Sequence, residues 1–130
     1  MKNGRKEQKN FSLHRRGASF LHALRGIHLA LRTQHNLWFH LAAIVAVLCT
    51  GFVLILSPTE WGLVVFAIGL VLTAEIFNTS IEFMVDWITP ERDDQAKQVK
   101  DLAAGGVLLA AITAAVIGGL IFLPKIIPSV

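Results

Sequence analysis

Three long apolar runs leave this chain few possible folds. Leu37 to Leu56 is nearly uncharged, Trp61 to Trp87 follows after a four-residue break, and Val99 to Leu123 is the third. At about 1.5 Å per residue the first is long enough for the hydrocarbon core, and the second reaches about 39 Å, close to a bilayer with its headgroup zones. Backbone polar groups in lipid must be satisfied within their own segment, so each run is predicted to be a transmembrane helix. Hydrophobic residues make up 54% of the chain and the mean hydropathy is +0.59, which excludes an ordinary soluble domain. A length of 130 residues allows one membrane-embedded domain, 1–130.

Local signals divide that domain. Ser57-Pro58-Thr59-Glu60 reads as a tight turn, because Pro stops one helix and Ser or Thr caps the next. Trp38, Trp61 and Trp87 fall at the predicted interfaces, where indole rings prefer to sit. The single cysteine, Cys49, lies in an apolar run and cannot form an intrachain disulfide. No small-residue cleavage site clearly follows the first run, so the N-terminus is read as retained. The third run repeats small residues at Ala111, Ala115 and Gly119, a face that lets helix backbones approach closely in lipid.

Charge is segregated. Eight Lys or Arg and one Glu precede Leu37. Within that segment Phe20, Leu24, Ile27 and Leu31 fall on one helical face, and His22, Arg25 and Arg32 on the other, as in a helix lying in the membrane interface. The N-terminus and the segment from Asp86 to Asp101 carry eleven Lys or Arg, against Lys125 alone on the opposite side. The positive-inside rule puts both in the cytoplasm of a multi-pass protein of the cell membrane. The expected fold is therefore all-α and integral to the membrane. It has a basic tail over 1–17, an amphipathic surface helix over 18–35, and transmembrane helices over 37–56, 61–88 and 98–123. Three spans enclose little by themselves, so an oligomer is expected.

Within the second run Glu75, Asn78, Glu82 and Asp86 sit at i, i+3, i+7 and i+11, a helical sector of about 80°. A charge near the centre of a membrane helix costs at least about 2.5–3.5 kcal/mol, so such a stripe demands partners. Glu75 falls roughly 18 Å in from Trp87, near mid-bilayer. Lys100 and Asp101 stand across the short loop, where a water-soluble and a membrane-embedded substrate can meet. Carboxylates with substrate phosphates are the usual magnesium ligands, lysine suits phosphate oxygens, and a desolvated carboxylate suits a general base. These residues fit phosphoryl transfer to a lipid hydroxyl, and equally a proton relay or cation path.

Glu75-Ile-Phe-Asn78-Thr-Ser-Ile-Glu82, then Val85-Asp86 and Lys100-Asp101-Leu-Ala-Ala-Gly-Gly-Val-Leu-Leu, closely resemble the signature of the prokaryotic diacylglycerol kinase family, which includes undecaprenol kinases. Ser19-Phe-Leu-His-Ala-Leu-Arg-Gly26 and Asn36-Leu-Trp-Phe-His40 are similar to its N-terminal portion, and the resemblance covers roughly residues 18–120. It implies a homotrimer with sites shared between subunits. It also implies ATP- and Mg²⁺-dependent transfer of the γ-phosphate to a membrane lipid alcohol, diacylglycerol giving phosphatidic acid, or alternatively undecaprenol. Carried over, Glu75 is the general base and Glu82 a metal ligand that positions the nucleotide. Lys100 and Asp101 are nucleotide contacts with His22 within reach, and Asn78, Asp86 and Arg25 are supporting residues. The family usually has a second ligand, a glutamate in a Thr-Glu-Arg-Asn-like context, where this chain reads Thr33-Gln34-His35-Asn36. Gln34 still offers a carbonyl oxygen but no charge. Its presence keeps open a catalytically inactive relative, a membrane scaffold or an ion-conducting protein. His14, His22, His28 and His40 show no metal-ligand spacing and read as interfacial or packing residues.

Overall fold

A computed structural model describes residues 13–127, and they form four helices: α1 (Leu13–Thr33), α2 (His35–Val53), α3 (Pro58–Ile88) and α4 (Asp94–Ile126). Of the basic tail read from the sequence, residues 1–12 lie outside the described residues, and 13–17 are helical. Three helices, α2, α3 and α4, are long and apolar enough to cross a membrane. Phe52, Val53, Trp87, Leu102 and Leu120 are each more than 70% exposed on the isolated chain. So much apolar surface is stable only against lipid or other apolar surfaces. The hydroxyls of Thr50, Thr79, Ser80 and Thr113 bond the carbonyls four residues back, so each is satisfied within its own helix.

α3 and α4 outrun their apolar stretches because capping residues set their ends. α2, expected to reach Leu56, stops at Val53 before the left-handed Ile55. The surface helix expected over 18–35 ends at Thr33, where the extended Gln34 breaks it from α2. Ser57 caps α3: its hydroxyl accepts from the Glu60 N–H, the Glu60 carboxylate accepts from the Ser57 N–H at 2.6 Å, and Pro58 takes the first turn. The segment read as a turn is thus the capping box itself. Asp93 caps α4 by accepting from the Ala96 N–H at 2.8 Å. Pro124, just past the end of the third apolar run, lies inside the last turn of α4.

The α2–α3 turn carries strain. Leu56 N–H bonds the Gly51 carbonyl and Ile55 N–H the Phe52 carbonyl, the double bond pattern that closes a helix through a left-handed residue. That residue is Ile55, with φ of 49°. Gly51 leaves room for the turn to fold back, since a Cβ there would stand 2.9 Å from the Trp61 ring and 3.0 Å from Leu56. Leu56, Val64 and Ile121 are buried around this end, with Val47, Trp61, Ile68, Ile117 and Phe122 packed against them.

α3 is central, with α4 packed along it and α1 and α2 touching it more lightly. Lys125 bonds Glu60 at 3.1 Å, and Lys100 bonds Asp86 at the opposite end, so ion pairs mark both ends of the α3–α4 contact. A left-handed β-branched residue costs about 1–2 kcal/mol, and the Ile55 side chain is 84% exposed, so it packs little in return. Ile55→Gly is therefore expected to raise the midpoint of denaturant-induced unfolding in detergent micelles, by about 1 kcal/mol in stability.

Candidate active site

The stripe on α3 meets the junction of α1 and α2. Gln34, the residue between those helices, donates from Nε2 to Glu82 Oε2 at 3.3 Å, and Asn78 donates from Nδ2 to Glu82 Oε1 at 2.9 Å. Seven residues further along α3, about 10 Å, Glu75 Oε1 bonds His40 Nε2 at 2.6 Å. The two pairs define an antiparallel register: stepping six residues into α2 and seven back along α3 shortens the sequence separation from 48 to 35. One turn beyond Glu82 the Lys100 ammonium bonds Asp86 Oδ1.

Glu75 is the most sequestered of these groups, at 5% exposure, with Thr79 beside it also at 5%. Asn78 Oδ1 is sealed from solvent and has no partner among the described residues, an oxygen without a donor. An orphaned acceptor of that kind calls for a cation, a water or a substrate group. Among the described residues no three His, Cys, Asp or Glu side chains cluster as a metal cage. The groups that do converge are the Glu82 carboxylate and the N–H ends of the Gln34 and Asn78 amides, with Asn78 Oδ1 unpartnered. With the Gln34 amide turned to present its own oxygen, these residues would supply an oxygen set with one carboxylate, which fits magnesium that keeps its waters and takes phosphate oxygens.

The sequence-read residues divide into two groups. Gln34, Asn78 and Glu82 come together and Asp86 with Lys100 stands one turn away, while Glu75 lies two turns off in the other direction and bonds His40. No hydrogen bond or ion pair among the described residues joins His22, Arg25 or Asp101 to them, and all three side chains are exposed. His40 was read as packing; the structure instead attaches it to Glu75. A signal for it existed. In a hairpin turned at Ser57, His40 lies 17 residues before the turn and Glu75 lies 18 after it, so they share a depth.

Beside the His40–Glu75 pair, α2, α3 and α4 leave an apolar groove of about 290 Å³, lined by His40, Ala43, Val71, Ala111, Ala115 and Phe122 among others. His40 is thus shared between the groove, which it lines, and the buried Glu75 carboxylate, which it bonds, with the Glu82 group two turns away and Lys100 beyond.

The chain belongs to the prokaryotic diacylglycerol kinase family, whose model matches residues 21–122. It is 46% identical over 121 residues to the undecaprenol kinase of Bacillus subtilis (strain 168), an alignment covering 93% of this chain and 98% of that one. It is 36% identical over 110 residues to a diacylglycerol kinase of Synechocystis sp., covering 84% of this chain and 63% of that one. The chain is accordingly a phosphotransferase with an alcohol group as acceptor.

A glutamate at position 34 would set a second carboxylate against Glu82, where two amide donors now hold it. Without a cation, Gln34→Glu is expected to destabilise the fold by on the order of 2 kcal/mol, through a lost donor and like-charge repulsion. Thermal unfolding in detergent tests this: the variant should melt below wild type in chelator, and added magnesium should raise its midpoint more than wild type's.

Proposed function

We propose that the protein transfers the γ-phosphate of ATP to the hydroxyl of a membrane lipid alcohol, with undecaprenol as the acceptor. The buried Glu75 carries this reading. A carboxylate sequestered in an apolar span, and bonded to the histidine that lines a groove suited to an isoprenoid or acyl chain, can take the proton of an alcohol that reaches it from the lipid. The similarity to the Bacillus subtilis undecaprenol kinase over 98% of that protein supports undecaprenol. Diacylglycerol, the acceptor that the family's name carries, is the second reading, supported by the Synechocystis relative.

In this proposal Glu75 is the general base. Glu82, Gln34 and the unpartnered Asn78 Oδ1 hold magnesium, which when bound neutralises charge on the transferring phosphate. Lys100 leaves Asp86 to meet phosphate oxygens, and Asp101, His22 and Arg25 complete the nucleotide side from the start of α4 and from α1. The protein is a homotrimer in the cell membrane, with α1 in the interface and both the N-terminus and the loop before α4 in the cytoplasm. The excess of Lys and Arg on that side supports the orientation, and the uncovered Phe20, Leu24 and Ile27 support the interfacial helix.

Transfer of labelled γ-phosphate in mixed micelles tests the reading. Purified protein with undecaprenol is expected to yield labelled undecaprenyl phosphate, faster than it labels diacylglycerol, and Glu82→Gln should abolish the product. Gln34→Glu should reach half-maximal rate at lower magnesium than wild type. Faster labelling of diacylglycerol would move the acceptor to the second reading, and no label in either lipid at high magnesium would sink the proposal.

A further inference from the structure

Glu75 has two carboxylate oxygens, and the protein engages one. Oε1 bonds His40 Nε2 at 2.6 Å, while no hydrogen bond among the described residues reaches Oε2. A general base is ionised before the transfer, and an ionised carboxylate only accepts, so in that state of Glu75 the donor to Oε1 is the N–H of His40 Nε2. The surroundings hold no competing charge. α4 has no ionisable side chain between Asp101 and Lys125, α2 has only Cys49 beyond His40, and α3 has none between Glu60 and Glu75. Glu82 is about 10 Å away along α3. The charged side chains of α1 at Arg25 and Arg32, and its histidines at His22 and His28, are exposed.

We propose that His40 is a positioning residue for phosphoryl transfer. It fixes the Glu75 side chain, supports its negative charge where water is scarce, and leaves Oε2 as the basic atom. The inference rests on Glu75 being the base. In the step it serves, Oε2 accepts the acceptor's hydroxyl proton as the alcohol oxygen bonds the γ-phosphorus. The bond between that phosphorus and the bridging oxygen breaks, and ADP leaves with the electron pair. The proton later passes from Glu75 to water, so the products are lipid phosphate, ADP and a proton. A mere packing contact would accept any side chain of similar size; a positioning donor requires an N–H aimed at Oε1.

The full chain is tested in mixed micelles with ATP and undecaprenol, and with diacylglycerol in parallel. His40→Leu keeps the volume without a donor, His40→Ala removes both, and His40→Gln sets an amide N–H near the position of Nε2. His40→Leu and His40→Ala are expected to lower kcat about 10- to 100-fold with KM for ATP unchanged, and His40→Gln to recover most of that loss. In a Glu75→Gln background, adding His40→Leu should cost nothing further. Wild-type kcat in His40→Leu, a loss confined to KM for ATP, or a His40→Gln as slow as His40→Leu would overturn the role of His40. Failure of the underlying reading looks different: no lipid is labelled by wild type, or Glu75→Gln keeps the wild-type rate. Should His40→Ala not fold, the comparison of His40→Leu with His40→Gln decides alone.

Discussion

An ionisable carboxylate sequestered within an apolar span is the constraint around which this protein is arranged. Glu75 is 5% exposed on α3, and a charge at that depth costs several kcal/mol unless another group supports it. The support comes from α2, through His40. That contact lies in the same antiparallel register as the one between Gln34 and Glu82, so two layers of polar groups align on facing elements.

The frame that holds this alignment lies outside the site. The capping box at Ser57 and the left-handed Ile55 make the α2–α3 connection short and sharp, so the two helices run back along each other with little freedom of register. The Glu60–Lys125 and Asp86–Lys100 pairs mark both ends of the α3–α4 contact. Exposed ion pairs contribute little energy, so their use here is in register, while the apolar faces between them supply the packing. α2 touches α3 more lightly than α4 does, and the groove that results opens beside the one sequestered carboxylate. In the proposed reaction a lipid tail would lie among these apolar side chains while its headgroup reached the polar residues nearer the helix ends. The arrangement suits chemistry performed between a soluble nucleotide and a membrane lipid.

Much of this was legible in the residues themselves. The apolar runs announce three long helices because hydropathy is a property of each segment alone. The stripe of Glu75, Asn78, Glu82 and Asp86 follows from helical periodicity, which needs no knowledge of neighbours. The site was legible in part. Gln34 was singled out by its place in a motif, but its donation to Glu82 depends on how the α1–α2 junction lies against α3. His40 was passed over because a lone histidine in an apolar helix has no spacing to mark it. Counting from the turn would have given its depth but not its face. The unpartnered oxygen of Asn78 was invisible too, since nothing in a sequence tells which of an amide's two ends finds a donor.

The sequence by itself determined the presence of the helices, the cap at the start of α3, the carboxylate stripe and the family to which the chain belongs. All of these rest on interactions within a few residues or on short motifs. Tertiary structure alone decided which side chain answers each carboxylate of the stripe: His40 for Glu75, Gln34 and Asn78 for Glu82, Lys100 for Asp86. The physical reason is that a hydrogen bond requires its partners within about 3 Å on facing surfaces, and a helix rotates its side chains by about 100° per residue. The relative rotation of two helices is set by packing over their whole length, which no local pattern records.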